Sequence, residues 1–199
     1  MTRTTWAALL RGINVSGRNR VPMAELVSVL EGLGHTGVRT YLQSGNAVFT
    51  TDRAAAGGGG GADTGSVAAA EEELAAELEA AIERHFGFAV PCLVRDHAYL
   101  AAVERACPFP AAELEGKQLH AFYCSGPLDA DRFAALDPAV FAPEAFALGD
   151  RALYLYTPEG LGRSKLGDAL GRPAFFKGLT VTARNWNTVR KLVGMTAGA

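Results

Sequence analysis

The sequence predicts an α+β fold made of two ferredoxin-like (βαββαβ) subdomains packed together. Three observations carry that expectation. Short β-rich runs alternate with helical periodicity in the order strand, helix, hairpin, helix, strand. The same grammar returns in the second half, without a residue-level repeat. The composition, 49% hydrophobic and 20% charged over 199 residues, allows a core that needs neither disulfides nor metals. The expected subdomains are 1–95, with a disordered Gly-rich insertion near 54–65, and 96–199, ending in a C-terminal helix.

In the first half, Thr5 to Leu10 is a short apolar run that reads as a buried strand and stops at Arg11-Gly12. Pro22 stands at a natural first helical position, Met23, Leu26, Val27, Leu30 and Leu33 recur at helical spacing, and Gly34 supplies the stop. Val38 to Gln43 and Ala47 to Thr51 form a hairpin around Ser44-Gly45-Asn46, residues that accept positive φ. The alanine- and glycine-rich stretch from Ala54 to Gly65 is too poor in apolar surface to offset its ordering entropy. Ser66 then caps a helix with Leu74, Leu78, Ile82 and Phe86 on its buried stripe and Glu71, Glu72 and Glu73 near its N-terminus. Ala89 to Arg95 closes the unit as a strand.

In the second half, Asp96 caps a helix carrying Leu100 and Val103 inward, and Pro108 and Pro110 end it. Gln118 to Cys124 is a strand, Asp129 opens a short helix with Phe133 and Leu136, and Ala145 to Leu148 pairs with Ala152 to Tyr156 around Gly149-Asp150. A helical stretch from Arg163 to Leu170 and a strand from Thr180 to Ala183 follow. Asn185 caps a last helix with Val189, Leu192 and Val193 facing inward.

Composition and motifs exclude several chemistries. Cys92, Cys107 and Cys124 have no CxxC spacing, and His35, His85, His97 and His120 have no metal-ligand spacing, so neither a disulfide framework nor a metal site is expected. No cofactor is expected either. The N-terminal apolar run is too short for a signal peptide and no stretch reaches the roughly 20 apolar residues of a membrane span, so a cytoplasmic protein without membrane partners is expected. No Ser, His and Asp arrangement identifies a nucleophile or base, which leaves enzymatic activity open.

The candidate site residues are polar. Gly12-Ile-Asn-Val-Ser-Gly17 has the Gly-x4-Gly spacing of a phosphate loop, after a strand and before a helix. Arg18 and Asn19 replace its Lys and metal-binding hydroxyl, so the nucleotide-hydrolysing chemistry is not expected. Arg11, Asn14, Arg18, Asn19 and Arg20 remain as donors suited to an anion. Turn chemistry accounts for Ser44 and Asn46, and Gln43 lies on a strand neighbouring the basic loop. Ser164 and Lys165 stand at one expected helix start; Arg184, Asn185, Trp186 and Asn187 stand at another. There Trp186 serves either as a core anchor or as a stacking wall. The last forty residues are locally basic, whereas the middle of the chain is acidic.

Three ordered strings carry a family resemblance: Leu9 to Leu26, Val38 to Phe49 and Thr182 to Leu192. With them the chain resembles the mainly bacterial family known as domain of unknown function 1697. The resemblance implies two ferredoxin-like subdomains and brings no established activity. The family pattern has glycine at Ser16 and lysines at Arg18 and Arg20, so charge is kept while backbone freedom is reduced.

Polar loop-and-cap segments of this kind point to a site, because core packing uses apolar residues. The expected function is binding of a phosphate-bearing ligand, a nucleotide or nucleic acid, through a basic composite site. The alternatives are an enzyme on a small anionic substrate and a homodimer in which the basic loop meets a neighbour's acidic helix; the chain is expected to be a monomer or a homodimer.

Overall fold

The computed structural model describes residues 3–15, 17–52 and 64–197. Residues 54–63 of the Gly-rich segment, and Ser16, lie outside them. The fold is α+β, with two four-stranded antiparallel sheets, one in each of two compact units. One unit runs to Leu100 and resumes at Leu192; the other is Ala101–Lys191.

The first unit orders its strands β2 (Thr36–Tyr41), β3 (Asn46–Thr51), β1 (Thr4–Leu10) and β4 (Cys92–Asp96). The third strand lies between the first and second, the split βαβ arrangement. Trp6, Ala8 and Leu10 alternate along β1, as a period of two requires. They pack with Leu26 and Leu30 of α1 (Met23–Gly32) and Leu74, Leu78 and Ile82 of α2 (Thr64–Phe86). Ala7 and Leu9 are buried as well, so β1 shows the continuous apolar run of a strand covered on both faces.

Three local differences from expectation have physical causes. The first hairpin strand ends at Tyr41 instead of Gln43, because Leu42 takes φ +59° and the chain is already turning. Helix α2 begins at Thr64, so Ser66 lies inside it and residues 64 and 65 of the expected insertion are helical. Glu71, expected only as one of three acids near the helix N-terminus, is buried against Arg95, at 3.0 Å, with the Arg95 guanidinium over the Tyr99 ring. That pairing links residues 24 apart in the chain, which no local pattern reveals.

The second unit orders its strands β6 (Ala145–Gly149), β7 (Ala152–Tyr156), β5 (Leu119–Cys124) and β8 (Val181–Asn185), the same interleaving. Helix α3 (His97–Arg105) enters this unit. The single short helix expected after Asp129 is two, α4 (Ala130–Phe133) and α5 (Pro138–Phe141), each capped by an aspartate, Asp129 and Asp137. Phe133, Leu153, Leu155, Leu166, Leu170 and Phe175 form the core on one face, with α6 (Lys165–Leu170) lying over it. On the other face, buried Tyr154 donates its hydroxyl to the Val103 carbonyl at 2.8 Å. Asn185 ends β8 and also caps α7 (Trp186–Thr196), accepting from the Thr188 N–H at 3.0 Å. Among the described residues no helix is long and apolar enough to cross a membrane.

Candidate functional site

In the first unit the basic loop and the hairpin tip are fastened to each other. Leu10 N–H donates to the Gly45 carbonyl at 2.8 Å, and Arg11 N–H to the Pro91 carbonyl at 2.9 Å. Asn14 is the main rivet. Its amide nitrogen donates to the Val21 and Gln43 carbonyls at 3.0 and 2.8 Å, and its Oδ1 accepts from Val21 N–H at 2.9 Å. Asn19 donates to the Gly12 carbonyl at 3.2 Å, while Arg18 N–H closes a tight turn onto the Val15 carbonyl at 3.0 Å. Asn46 is fully buried and donates to the Tyr41 carbonyl and to Ser44 Oγ.

Gly45 explains how closely the two loops meet. At φ +76° it favours the residue without a side chain, and a Cβ there would stand 2.7 Å from Leu10 Cβ and 2.9 Å from Ile13 Cδ1. The hairpin tip therefore rests directly on the segment leading into the basic loop.

The amides of Asn14, Asn19 and Asn46 are thus spent on holding the frame. What the frame presents is Arg11, Arg18 and Arg20, all exposed, beside exposed Gln43 and Ser44. None of the three arginines forms an ion pair with a carboxylate among the described residues, and neither 11–20 nor 42–46 contains an acidic residue. Each guanidinium offers five N–H donors in a planar fork that matches phosphate oxygens. Two apolar side chains stand among them, Val15 at 62% and Leu42 at 54% exposure. Sequence reasoning passed over both, since an exposed aliphatic residue leaves no local signature.

The second unit uses its candidate donors differently. Ser164 is 2% exposed; it caps α6 by accepting from Gly167 N–H and donates its own hydroxyl to Glu144, both at 2.7 Å. The Glu144 carboxylate also receives Leu166 N–H at 2.8 Å and Lys165 N–H at 3.3 Å. The chain thereby fills this helix start with its own anion, from a residue 20 positions away that sequence reasoning missed. The Lys165 side chain is exposed and lines a groove of about 490 Å³ with Arg172, Asp137, Asp168, Val140 and Phe141.

Arg184 is 7% exposed on β8, its guanidinium donating to Thr182 Oγ1 at 2.6 Å and to the Ala183 carbonyl at 2.9 Å. Trp186 is 2% exposed, with its ring near that of Tyr154 and its backbone N–H donating to the Gly116 carbonyl at 3.0 Å. Asn187 is exposed, with its amide against Gly116, where a Cβ would collide with it. Arg184 and Trp186 thus sit inside the packing of their unit, and Asn185 and Asn187 serve the junction of β8 with α7.

Burial displaces three titrations in the second unit. His120 is held down to about 4 from 6.5, Tyr154 is pushed up to about 12, and the Cys107 thiol is raised, each chiefly by loss of solvent. Among the described residues no three His, Cys, Asp or Glu side chains gather as a metal site.

A family model described as "Protein of unknown function (DUF1697)" matches residues 3–59 and 63–154. The chain is also similar to a solved structure, that of the conserved bacterial protein SP0830 from Streptococcus pneumoniae. The two are 25% identical with a TM-score of 0.73, over 98% of this chain and 99% of that one. No curated protein matches the sequence.

Proposed function

We propose that this chain, which belongs to the DUF1697 family of proteins of unknown function, binds nucleic acid through the basic loop of its first unit. The observation that carries the reading is three exposed arginines without carboxylate partners among the described residues, mounted on a loop whose backbone is fixed by Asn14, Asn19 and Gly45. A frame of this kind keeps the guanidiniums from collapsing onto the protein's own acids. It also lowers the ordering cost that a bound polyanion would otherwise meet.

An exposed loop favours an extended phosphate backbone over a single nucleotide, which needs a concave site that buries most of its surface. Gln43 and Ser44 stand beside the arginines as groups that both donate and accept.

The test is polarisation of a labelled oligonucleotide titrated with the protein at several salt concentrations. Affinity is expected to fall linearly on a log–log plot, the slope losing about 0.7 per phosphate contact removed from a single strand. A flat salt dependence overturns the reading.

A further inference from the structure

We infer that the ligand is single-stranded nucleic acid, with Leu42 and Val15 as apolar prongs that pack on unpaired bases while Arg11, Arg18 and Arg20 hold the phosphates. This rests on the nucleic-acid reading above and adds to it which form is bound and by what.

The backbone singles out Leu42. Six described positions in 11–20 and 42–46 have left-handed φ: Gly12, Asn14, Gly17, Asn19, Leu42 and Gly45. Five are glycine or asparagine, the residues that take this conformation at least cost. Leucine at the sixth is unfavourable locally, and its exposure of 54% means that burial offsets the strain only in part. A strained, exposed apolar side chain at a polar site marks a contact made with something else.

Val15 is placed to act with it. The Asn14 amide donates to the Gln43 carbonyl at 2.8 Å, which ties the basic loop to the hairpin tip at the residues next in sequence to Val15 and Leu42. Only one other large hydrophobic residue among those described is as exposed, Val140 of the second unit.

The surroundings choose the ligand. A duplex turns its phosphates outward and keeps its bases stacked, so two aliphatic prongs among arginines would gain nothing from it. A single strand offers base faces beside its phosphates, and bases pack on apolar side chains and guanidinium planes alike. An anionic bilayer would attract the arginines too. Inserting Leu42 there, however, would carry the exposed Gln43 and Ser44 into an apolar layer, whereas against a strand both can bond to base edges.

The experiment compares wild type, Leu42→Asn, Val15→Ser and Arg18→Gln on a labelled single strand, the matching duplex, and vesicles of phosphatidylcholine with phosphatidylglycerol. Asparagine suits the left-handed position, so Leu42→Asn keeps the fold, which thermal melting verifies, and Val15→Ser is an independent check. Leu42→Asn is expected to weaken single-strand binding about fivefold or more without changing the salt slope, since it removes a base contact and no phosphate contact. Arg18→Gln is expected to lower the slope. Equal affinity for duplex and strand, or unchanged single-strand affinity in both prong variants, overturns the proposal while leaving the basic loop as a nucleic-acid site. Vesicle binding that depends on Leu42, with no oligonucleotide binding, overturns both.

Discussion

Two helix-proximal segments of the same outward type, the basic loop of the first unit and the Gly162 to Lys165 segment of the second, end in opposite electrostatic states. At the second, Glu144 accepts from Ser164, Lys165 and Leu166, and the helix start is closed by the chain's own carboxylate. At the first, amide side chains close the backbone bonds and the three arginines remain exposed, with no carboxylate partner among the described residues. Donors near a helix start are therefore not in themselves a ligand site. The deciding question is whether the fold brings an acceptor to them, and a distant residue answers it.

The largest effect that would break this contrast is at Gly45. Gly45→Val places a branched side chain at φ +76° and into Leu10 and Ile13, at an expected cost of about 4 kcal/mol from strain and overpacking together. Urea unfolding measures it. Gly162→Ala, in the second segment and with nothing within 4 Å, is the control and is expected to change stability by less than about 0.5 kcal/mol. Equal costs at the two glycines would mean that the loops of the first unit do not meet as described.

Acid provides the next largest effect, and it bears on the second unit. His120 is 7% exposed and titrates in the fold at about 4 instead of 6.5. Its neutral form is the one the fold favours, so this contribution is complete above pH 6.5 and is lost as pH falls toward 4, amounting to about 3 kcal/mol. Stability measured by urea between pH 7 and pH 4 is expected to drop accordingly, and the drop to shrink in His120→Gln. A pH dependence identical in that variant would assign the acid sensitivity elsewhere.

How much of this was legible in the sequence follows from the range of each interaction. Strand β1, helix α1 and the hairpin are periodic and locally punctuated, and their cores lie where the apolar pattern puts them. The three arginines were legible as a charged loop. Glu144 was not, because its three donors lie 20 to 22 residues away; nor was the role of Asn14, whose amide serves the Gln43 carbonyl 29 residues on. The Thr182 to Asn187 segment shows the same limit differently. Reading the strand as ending at Ala183 left Arg184 free to face a ligand; in the structure β8 runs to Asn185, and the alternation of the strand buries Arg184 beside Thr182.

A smaller effect sharpens the contrast from the second side. Glu144→Ala removes the acceptor shared by Ser164, Lys165 and Leu166 and leaves a buried hydroxyl and a helix N–H unmatched, at an expected cost of about 2 kcal/mol in urea unfolding. Glu144→Gln keeps one oxygen and should recover part of that loss. If neither variant destabilises the protein, the internal carboxylate is not what closes this helix start.

The smallest effect on stability belongs to the open site, and that smallness is itself the diagnostic. Arg18 is exposed, and its side chain forms no ion pair among the described residues, while its turn bond is made by the backbone N–H, which Arg18→Gln keeps. Unfolding free energy is expected to move by less than about 0.5 kcal/mol, while oligonucleotide affinity falls and its salt slope loses about 0.7. A structural arginine would do the reverse, weakening the fold and leaving the slope alone. The pairing of the two measurements on one variant therefore separates a side chain held out for a ligand from one that serves only the chain itself.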